Sequence, residues 1–377
     1  MENIVRITEI PSEMIEIGKA IVAEKPQIYT EKTLKMLWDV IEKNMPEADQ
    51  EDKVNMLYRS IYDYWTYGNN IDEEFYYHFY EKTHQEKSTY LNGKNRLLYI
   101  YHLNDKKDAH LLNDKYEAYK ELKQYYKRDV ILLRSDEDYS TFCEFVKKHS
   151  SFVVKPTDLG LAVGVYKYSV SENEDIKDLF ERLLEEGRTF KKEYRWSNRN
   201  LEAPASILLE EIIDQDEALA RMHPASVNGI RVTTIRANGK VNIIHPWMKI
   251  GVNGEFVTGG AVGSLLACIN TDTGIVETLG FNESGVGYEY HPTTGIKIPG
   301  YVIPKWQELC EIVTELGNHY PTINYIGWDM VLSKKGWCVM EANFTGECMW
   351  QLMYEKGTKA EMEALINWRP ENDFWWQ

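Results

Sequence analysis

Three oxygen-bearing side chains sit inside an apolar stretch near the end of the chain: Asp329, Glu341 and Asn343 in GWDMVLSKKGWCVMEANFTGE, residues 327–347. Residues 325–332 and 337–342 read as two strands, joined through Ser333-Lys334-Lys335-Gly336. A three-residue loop with Gly336 at the left-handed position would set Ser333 opposite Trp337, and Asp329 then lies opposite Glu341. Asn343 returns to the same face two residues further on. Opposed like charges destabilise a sheet, and a carboxylate among apolar neighbours needs compensation. A hard divalent cation compensates both, and two carboxylates with one amide oxygen form an oxygen-only set suited to Mg2+ held together with phosphates. The plainer alternative is a solvent-facing strand side carrying two ordinary acids.

A second stretch that bears on phosphate chemistry is FVVKPTDLGLAVGVYKYSV, residues 152–170, read as strand, small-residue loop, strand. Lys155 precedes the loop, and Gly160 and Gly164 lie within it, where small residues let backbone N–H groups approach a phosphate. An ordinary hairpin is the alternative, since neither a Walker-type loop nor a dinucleotide-binding glycine fingerprint is present.

Those residues need elements to hold them. Residues 1–95 read as a helical, tyrosine-rich region: TLKMLWDVIEKN and VNMLYRSIYDYW repeat apolar residues at spacings of three and four. RLLYIYHL, residues 96–103, fits a strand or the end of a helix. NDKYEAYKELKQYY opens on Asn113 or Asp114 as a helix cap, and DVILLRS follows as a strand, giving an αβ unit over 96–150. After the loop, SENEDIKDLFERLLEEG reads as a helix with a Ser171/Glu174 capping box and Gly187 as its stop, and SILLEEII as a buried strand closing a small α+β domain over 151–215. Asn238-Gly239 and Asn253-Gly254 signal hairpins in residues 216–377, and a helix is expected from Pro304 to Leu316 with Gly317 at its end.

With 377 residues the chain is long enough for two or three domains, and no apolar run approaches the length of a membrane span. Five cysteines lack metal-binding spacing, which fits a reducing cytoplasm, and the N-terminus lacks the basic and apolar parts of a secretion signal. A formal net charge of -16 argues against nucleic acid as a general partner. One basic run, residues 188–200, reads as a solvated connector, with a path for an anionic acceptor as the alternative.

In order along the chain, NDK, VVKP with its glycine loop, LLEEII, NGIRVTTIR and the GWDMVL…GWCVMEAN hairpin resemble the ATP-grasp superfamily. LNDKYEAYKEL, the helical segment before it and HPASVNGIRV resemble its sugar-transfer-associated group, over roughly residues 55–355. The resemblance implies an α+β ATP-grasp fold with a helical N-terminal extension. It implies ATP and Mg2+ as cofactors, with Lys115 and Lys155 on the phosphates and Glu210, Glu211, Ile212 and Ile213 along the adenine edge. Asp214 or Glu217 would hold the ribose, Arg231 would face the transferring phosphoryl group, and Asp329, Glu341 and Asn343 would hold the metal. Lys249 is either a partner of the acyl substrate or a surface lysine, and His223 reads as a structural loop residue. The implied activity is ATP-dependent joining of a small-molecule carboxylate to an amine through an acyl phosphate, in a polysaccharide or capsule setting. An ATP-dependent phosphotransferase and a non-catalytic nucleotide-binding partner of a glycosyltransferase are the alternatives.

Overall fold

The computed structural model describes residues 11–108, 110–160, 162–193, 204–254, 256 and 263–371. Residues 194–200 of the basic run therefore lie outside the described residues. The chain divides into two compact units, one taking the described residues up to 102 with 283–286 and those from 347 on, the other taking 103–282 and 287–346.

In the first unit the expected helices form: α1 (Ser12–Glu24), α2 (Glu31–Asn44), α3 (Gln50–Tyr67), α4 (Ile71–Tyr76) and α5 (His84–Lys87). Caps set their starts, as Thr30 and Asp49 accept from the backbone N–H of Thr33 and Asp52, and Gly68 in the left-handed region ends α3. Ile41, Met45, Met56, Leu57, Ile61 and Phe75 form the core. Beside it lies a buried charge cluster that the helical periodicity did not reveal. There Lys87 pairs with Asp63 at 2.6 Å, while Arg59 lies 3.6 Å from Asp63 and 3.5 Å from Glu74. Residues 96–103, open between strand and helix, belong to α6 (Asn95–Leu103).

The second unit continues with α7 (His110–Asn113) and α8 (Lys115–Tyr126), and Asp114 caps α8 by accepting from the N–H of Tyr116 and Glu117. Its first sheet holds β1 (Val130–Leu133), β2 (Ser151–Pro156), β3 (Tyr166–Ser169) and β4 (Ile207–Glu211) in the order β1-β4-β2-β3, all pairs antiparallel. Helices α9 (Tyr139–Lys148) and α10 (Ile176–Glu193) supply Phe142, Phe145, Leu179, Phe180 and Leu183 to its core. The stop expected at Gly187 is overturned, because α10 runs through it to Glu193. A Cβ there would come within 3.3 Å of the Ser206 carbonyl carbon, so the glycine serves a close approach rather than a helix end. Glu174 accepts from the Ser171 N–H as expected, yet the helix begins only at Ile176, with the Asp175 carboxylate accepting from the N–H of Lys177 and Asp178.

The second sheet has the order β11-β10-β5-β6-β7-β8-β9, built from β5 (Gly229–Ala237), β6 (Lys240–Ile250), β7 (Leu265–Cys268), β8 (Gly280–Phe281), β9 (Gly287–Tyr288), β10 (Tyr325–Ser333) and β11 (Gly336–Asn343). Asn238-Gly239 forms the expected tight turn, both residues at positive φ, between Ala237 and its partner Lys240. Asn253-Gly254 also adopts positive φ, but β6 ends at Ile250 and β7 starts at Leu265, so the connection is a longer loop, part of it outside the described residues. A four-residue helix, α11 (Glu217–Ala220), lies between β4 and β5, and α12 (Trp306–His319), between β9 and β10, packs Leu309, Val313 and Leu316 into the core. Gly317, expected to end α12, lies inside it, where a Cβ would meet Val241 at 2.8 Å.

Candidate nucleotide and metal site

Strand β10 lies between β11 and β5, and all nine of its residues are buried. Its Asp329 faces Glu341 of β11 on one side and Arg231 of β5 on the other. The pairing with Glu341 arises by a different route from the one expected. The hairpin closes one residue tighter, with Ser333 opposite Gly336 and Met330 opposite Val339, and a bulge then adds Met340 so that Asp329 meets Glu341. The three-residue loop is thus overturned, while the shared face survives because the bulge supplies the residue that the turn lacks.

Three cations converge on the two carboxylates. Arg231 grips Asp329 with both ends of its fork, at 2.7 and 2.9 Å, and Lys249 of β6 donates to the same carboxylate at 2.8 Å. Lys115, at the start of α8, lies 3.5 Å from Glu341. Asn343 completes the face, donating to Asp329 at 3.2 Å. Gly327 makes room for the guanidinium, since a Cβ there would lie 3.2 Å from Arg231 Nη1, and Trp247 lies beneath it with its ring centre 5.6 Å away. Burial alone would raise the pKa of Asp329, but Arg231 and Lys249 outweigh it and hold the carboxyl well below its ordinary range. For Lys249, burial and the adjacent Arg231 win over Asp329, and its pKa is lowered. Lys249 is therefore part of this cluster, with a side chain only 20% exposed, rather than a surface lysine.

The phosphate-loop residues come together around Lys115 and Lys155. The backbone N–H of Lys115 bonds Thr157 O at 2.9 Å, and its ammonium donates to Leu159 O at 2.5 Å, so the loop after β2 wraps the start of α8. Gly160 O accepts from Val163, and Gly164 takes φ 71° where a Cβ would meet Phe190 at 2.8 Å. Lys155 pairs with Glu210 at 2.6 Å, and Arg128 holds the other oxygen of that carboxylate at 2.9 Å. Burial would push Glu210 up, yet these two cations bring its pKa down to about 2.

The main chain of Glu210 is committed to the ladders with Val130 and Val153, and Glu211 N–H bonds Asp129 O. Only Ile212 and Ile213 of the expected adenine-edge segment lie beyond the strand, lining a small recess with Arg128, Asp214 and Cys338. The two ribose alternatives, Asp214 and Glu217, are both exposed, and Asp214 pairs with Lys334 at 2.9 Å. His223 is buried, with Nδ1 2.8 Å from Ser226 Oγ and Nε2 accepting from the Gly254 N–H at 3.2 Å, which makes it a loop clamp.

An oxygen-only donor set of Asp329, Glu341 and Asn343 fits a hard divalent cation. A second grouping, Asp129, His149 and Glu211, has its ligand atoms within 4.8 Å of one another, but its carboxylates already carry Lys148 and Lys335. Sequence reasoning missed Arg128, which sits in no motif. Among the described residues no helix is long and apolar enough to cross a membrane.

The chain belongs to the sugar-transfer-associated ATP-grasp family, whose sequence pattern matches residues 94–366, well over half of the 377. Its fold is similar to that of D-alanyl-alanine synthetase A from Vibrio cholerae (15% identity, 68% of this chain and 65% of that one, TM-score 0.41). It is also similar to D-alanine-D-alanine ligase from Helicobacter pylori (14%, 73% and 68%, 0.42). A third likeness is to the ADP complex of N5-carboxyaminoimidazole synthetase from Staphylococcus aureus (11%, 72% and 56%, 0.43). The chain thus spans less than two thirds of the first and third of these proteins, and the family match alone carries the assignment. No curated protein matches the chain.

Proposed function

We propose that this protein is an ATP-dependent carboxylate-amine ligase that works through an acyl phosphate. The observation that carries the reading is the buried face on which Asp329, Glu341 and Asn343 meet Arg231, Lys249 and Lys115. Among the described residues three cations stand against two carboxylates on this face, an arrangement that suits a polyanionic nucleotide and an anionic acceptor. Mg2+ on the two acids and Asn343 would supply charge neutralisation to the phosphates when bound.

In this reading Lys115 and Lys155 hold the phosphates, with the backbone around Gly160 and Gly164 closing over them. The main chain at Ile212 and Ile213, beyond the end of β4, borders the adenine, and Asp214 or Glu217 holds the ribose. A substrate carboxylate attacks the γ-phosphorus and ADP leaves; an amine then attacks the acyl carbon and phosphate leaves. Arg231 and Lys249, once released from Asp329, stabilise the negative charge that develops on the acceptor in both steps. Placement and charge do the catalysis, so no covalent enzyme intermediate is required. Residues 151–215 would carry the phosphate loop and 216–377 the metal acids, with 96–150 supplying Lys115 and 1–95 outside the nucleotide site. The family's association with sugar transfer supports a role in polysaccharide or capsule biosynthesis, with a sugar acid or amino acid as acceptor and a glycan or glycosyltransferase as partner, and the five cysteines without metal-binding spacing support a cytoplasmic setting.

The test is ADP release across a matrix of uronic and amino acids against amines. Release that requires both an acid and an amine supports the ligase. Release with an acceptor alone, leaving a stable phosphorylated product, would replace it with a phosphotransferase.

A further inference from the structure

We propose that Arg128 is a positioning residue for this site: its guanidinium fixes the β11 bulge that brings Glu341 opposite Asp329, and through Glu210 it governs Lys155. The inference rests on the reading of the site given under the proposed function.

Helix α8 ends at Tyr126, Lys127 turns the chain through the left-handed region, and Arg128 then enters the interior just ahead of β1. Its side chain is only 3% exposed. Nη1 donates to Val339 O at 2.6 Å and to Tyr126 O at 3.2 Å, Nη2 to Met340 O at 3.4 Å, and Nε to Glu210 at 2.9 Å. Val339 and Met340 are the residues at the bulge. An extra residue leaves the ladder locally unpaired, and a buried carbonyl without a donor is unfavourable. Arg128 provides those donors.

The register shows what depends on them. Met330 pairs with Val339, so a bulge-free continuation would set Asp329 opposite Met340 and turn Glu341 to the other face of the sheet. The pair of carboxylates therefore exists because the bulge exists, and one planar fork from a neighbouring element satisfies it. Lysine lacks that fork and cannot reach two carbonyls and a carboxylate together. The second consequence concerns Lys155. Glu210 is shared between Arg128 and Lys155, so a phosphate can draw Lys155 away without leaving a buried carboxylate uncompensated.

The experiment uses full-length Arg128→Lys, with Arg128→Gln as a second variant that keeps an amide donor for Val339 should the lysine form fail to melt cooperatively. The readout is the Mg2+ concentration giving half of the ATP-dependent rise in thermal midpoint at fixed ATP, checked by Mn2+ binding followed by electron paramagnetic resonance. A variant that folds should need about tenfold to a hundredfold more metal, as outer partners of metal ligands typically cause. A variant whose ligand-free midpoint falls while its metal requirement equals the wild type's would overturn the proposal, because Arg128 would then serve the fold alone. Failure of the function reading looks different: the wild type itself would not respond to ATP and metal, and both proposals would go.

Discussion

Replacing Asp329 by Asn removes one negative charge from between Arg231 and Lys249 and leaves both cations in a site where the Asp329 and Arg231 side chains are each 11% exposed. Breaking a buried ion pair by deleting one partner costs about 3–5 kcal/mol, and the lower end applies because Lys249 is 20% exposed and can turn toward water. At roughly 2–4 °C per kcal/mol for a body of this size, the ligand-free midpoint at pH 7 should fall by about 6–12 °C. Glu341→Gln is the control from the same site. Its carboxylate is 26% exposed and Lys115 lies 3.5 Å away, so the loss should be about 0–1 kcal/mol. The sign of the pH dependence follows from the lowered pKa of Asp329. Its contribution is complete above the ordinary carboxylate range and is lost progressively as pH falls below about 4 toward the depressed value, so the gap between wild type and Asp329→Asn should begin to narrow toward pH 3 without closing. Circular dichroism melts of the three proteins from pH 3 to 8 read both effects. Asp329→Asn melting at or above the wild-type midpoint at pH 7 would refute the reasoning, since it would mean that the acid is not what keeps the two cations in place.

Two further perturbations follow from other parts of the chain. Burial raises Glu73 to about 7 although it accepts from the N–H groups of Asn70 and Gly93. Its folded pKa being the higher, the first unit should lose stability as pH rises from the ordinary carboxylate range through about 7, with amide protection at Asn70 and Gly93, measured against the intrinsic exchange rate at each pH, falling, and Glu73→Gln should flatten that dependence. At Gly251, a Cβ would stand 1.9 Å from Ser226 Oγ and 2.5 Å from His223 Nδ1, so Gly251→Ala should destabilise the second unit by about 1–3 kcal/mol in a denaturant titration; an unchanged midpoint would show that the His223 clamp yields freely.

Much of the acidic face was legible because a strand's period of two is rigid. Once Asp329 and Glu341 were assigned to paired strands, a common face followed, even though the turn was wrong by one residue and a bulge made up the difference. The bulge itself was not legible, because Arg128 holds it through main-chain carbonyls and a carbonyl leaves no mark in sequence. Gly187 and Gly317 misled for a related reason: a glycine that ends a helix and one that lets a strand approach it are the same letter. The buried cluster of Arg59, Asp63, Glu74 and Lys87 was hidden because charges on helices α3, α4 and α5 follow the pattern of solvated faces, and only their packing turns them inward. Lys249 could be placed only by register, since its strand gives no sign of which neighbour its ammonium meets.

The most direct measurement is the thermal midpoint with and without ATP and Mg2+, for the wild type and for Glu341→Ala. Ligand at 100 times its Kd adds about 2.7 kcal/mol of stability. The account predicts a rise in the wild type that requires ATP and Mg2+ together and is largely lost in the variant; no response of the wild type to saturating ATP and Mg2+ would contradict it.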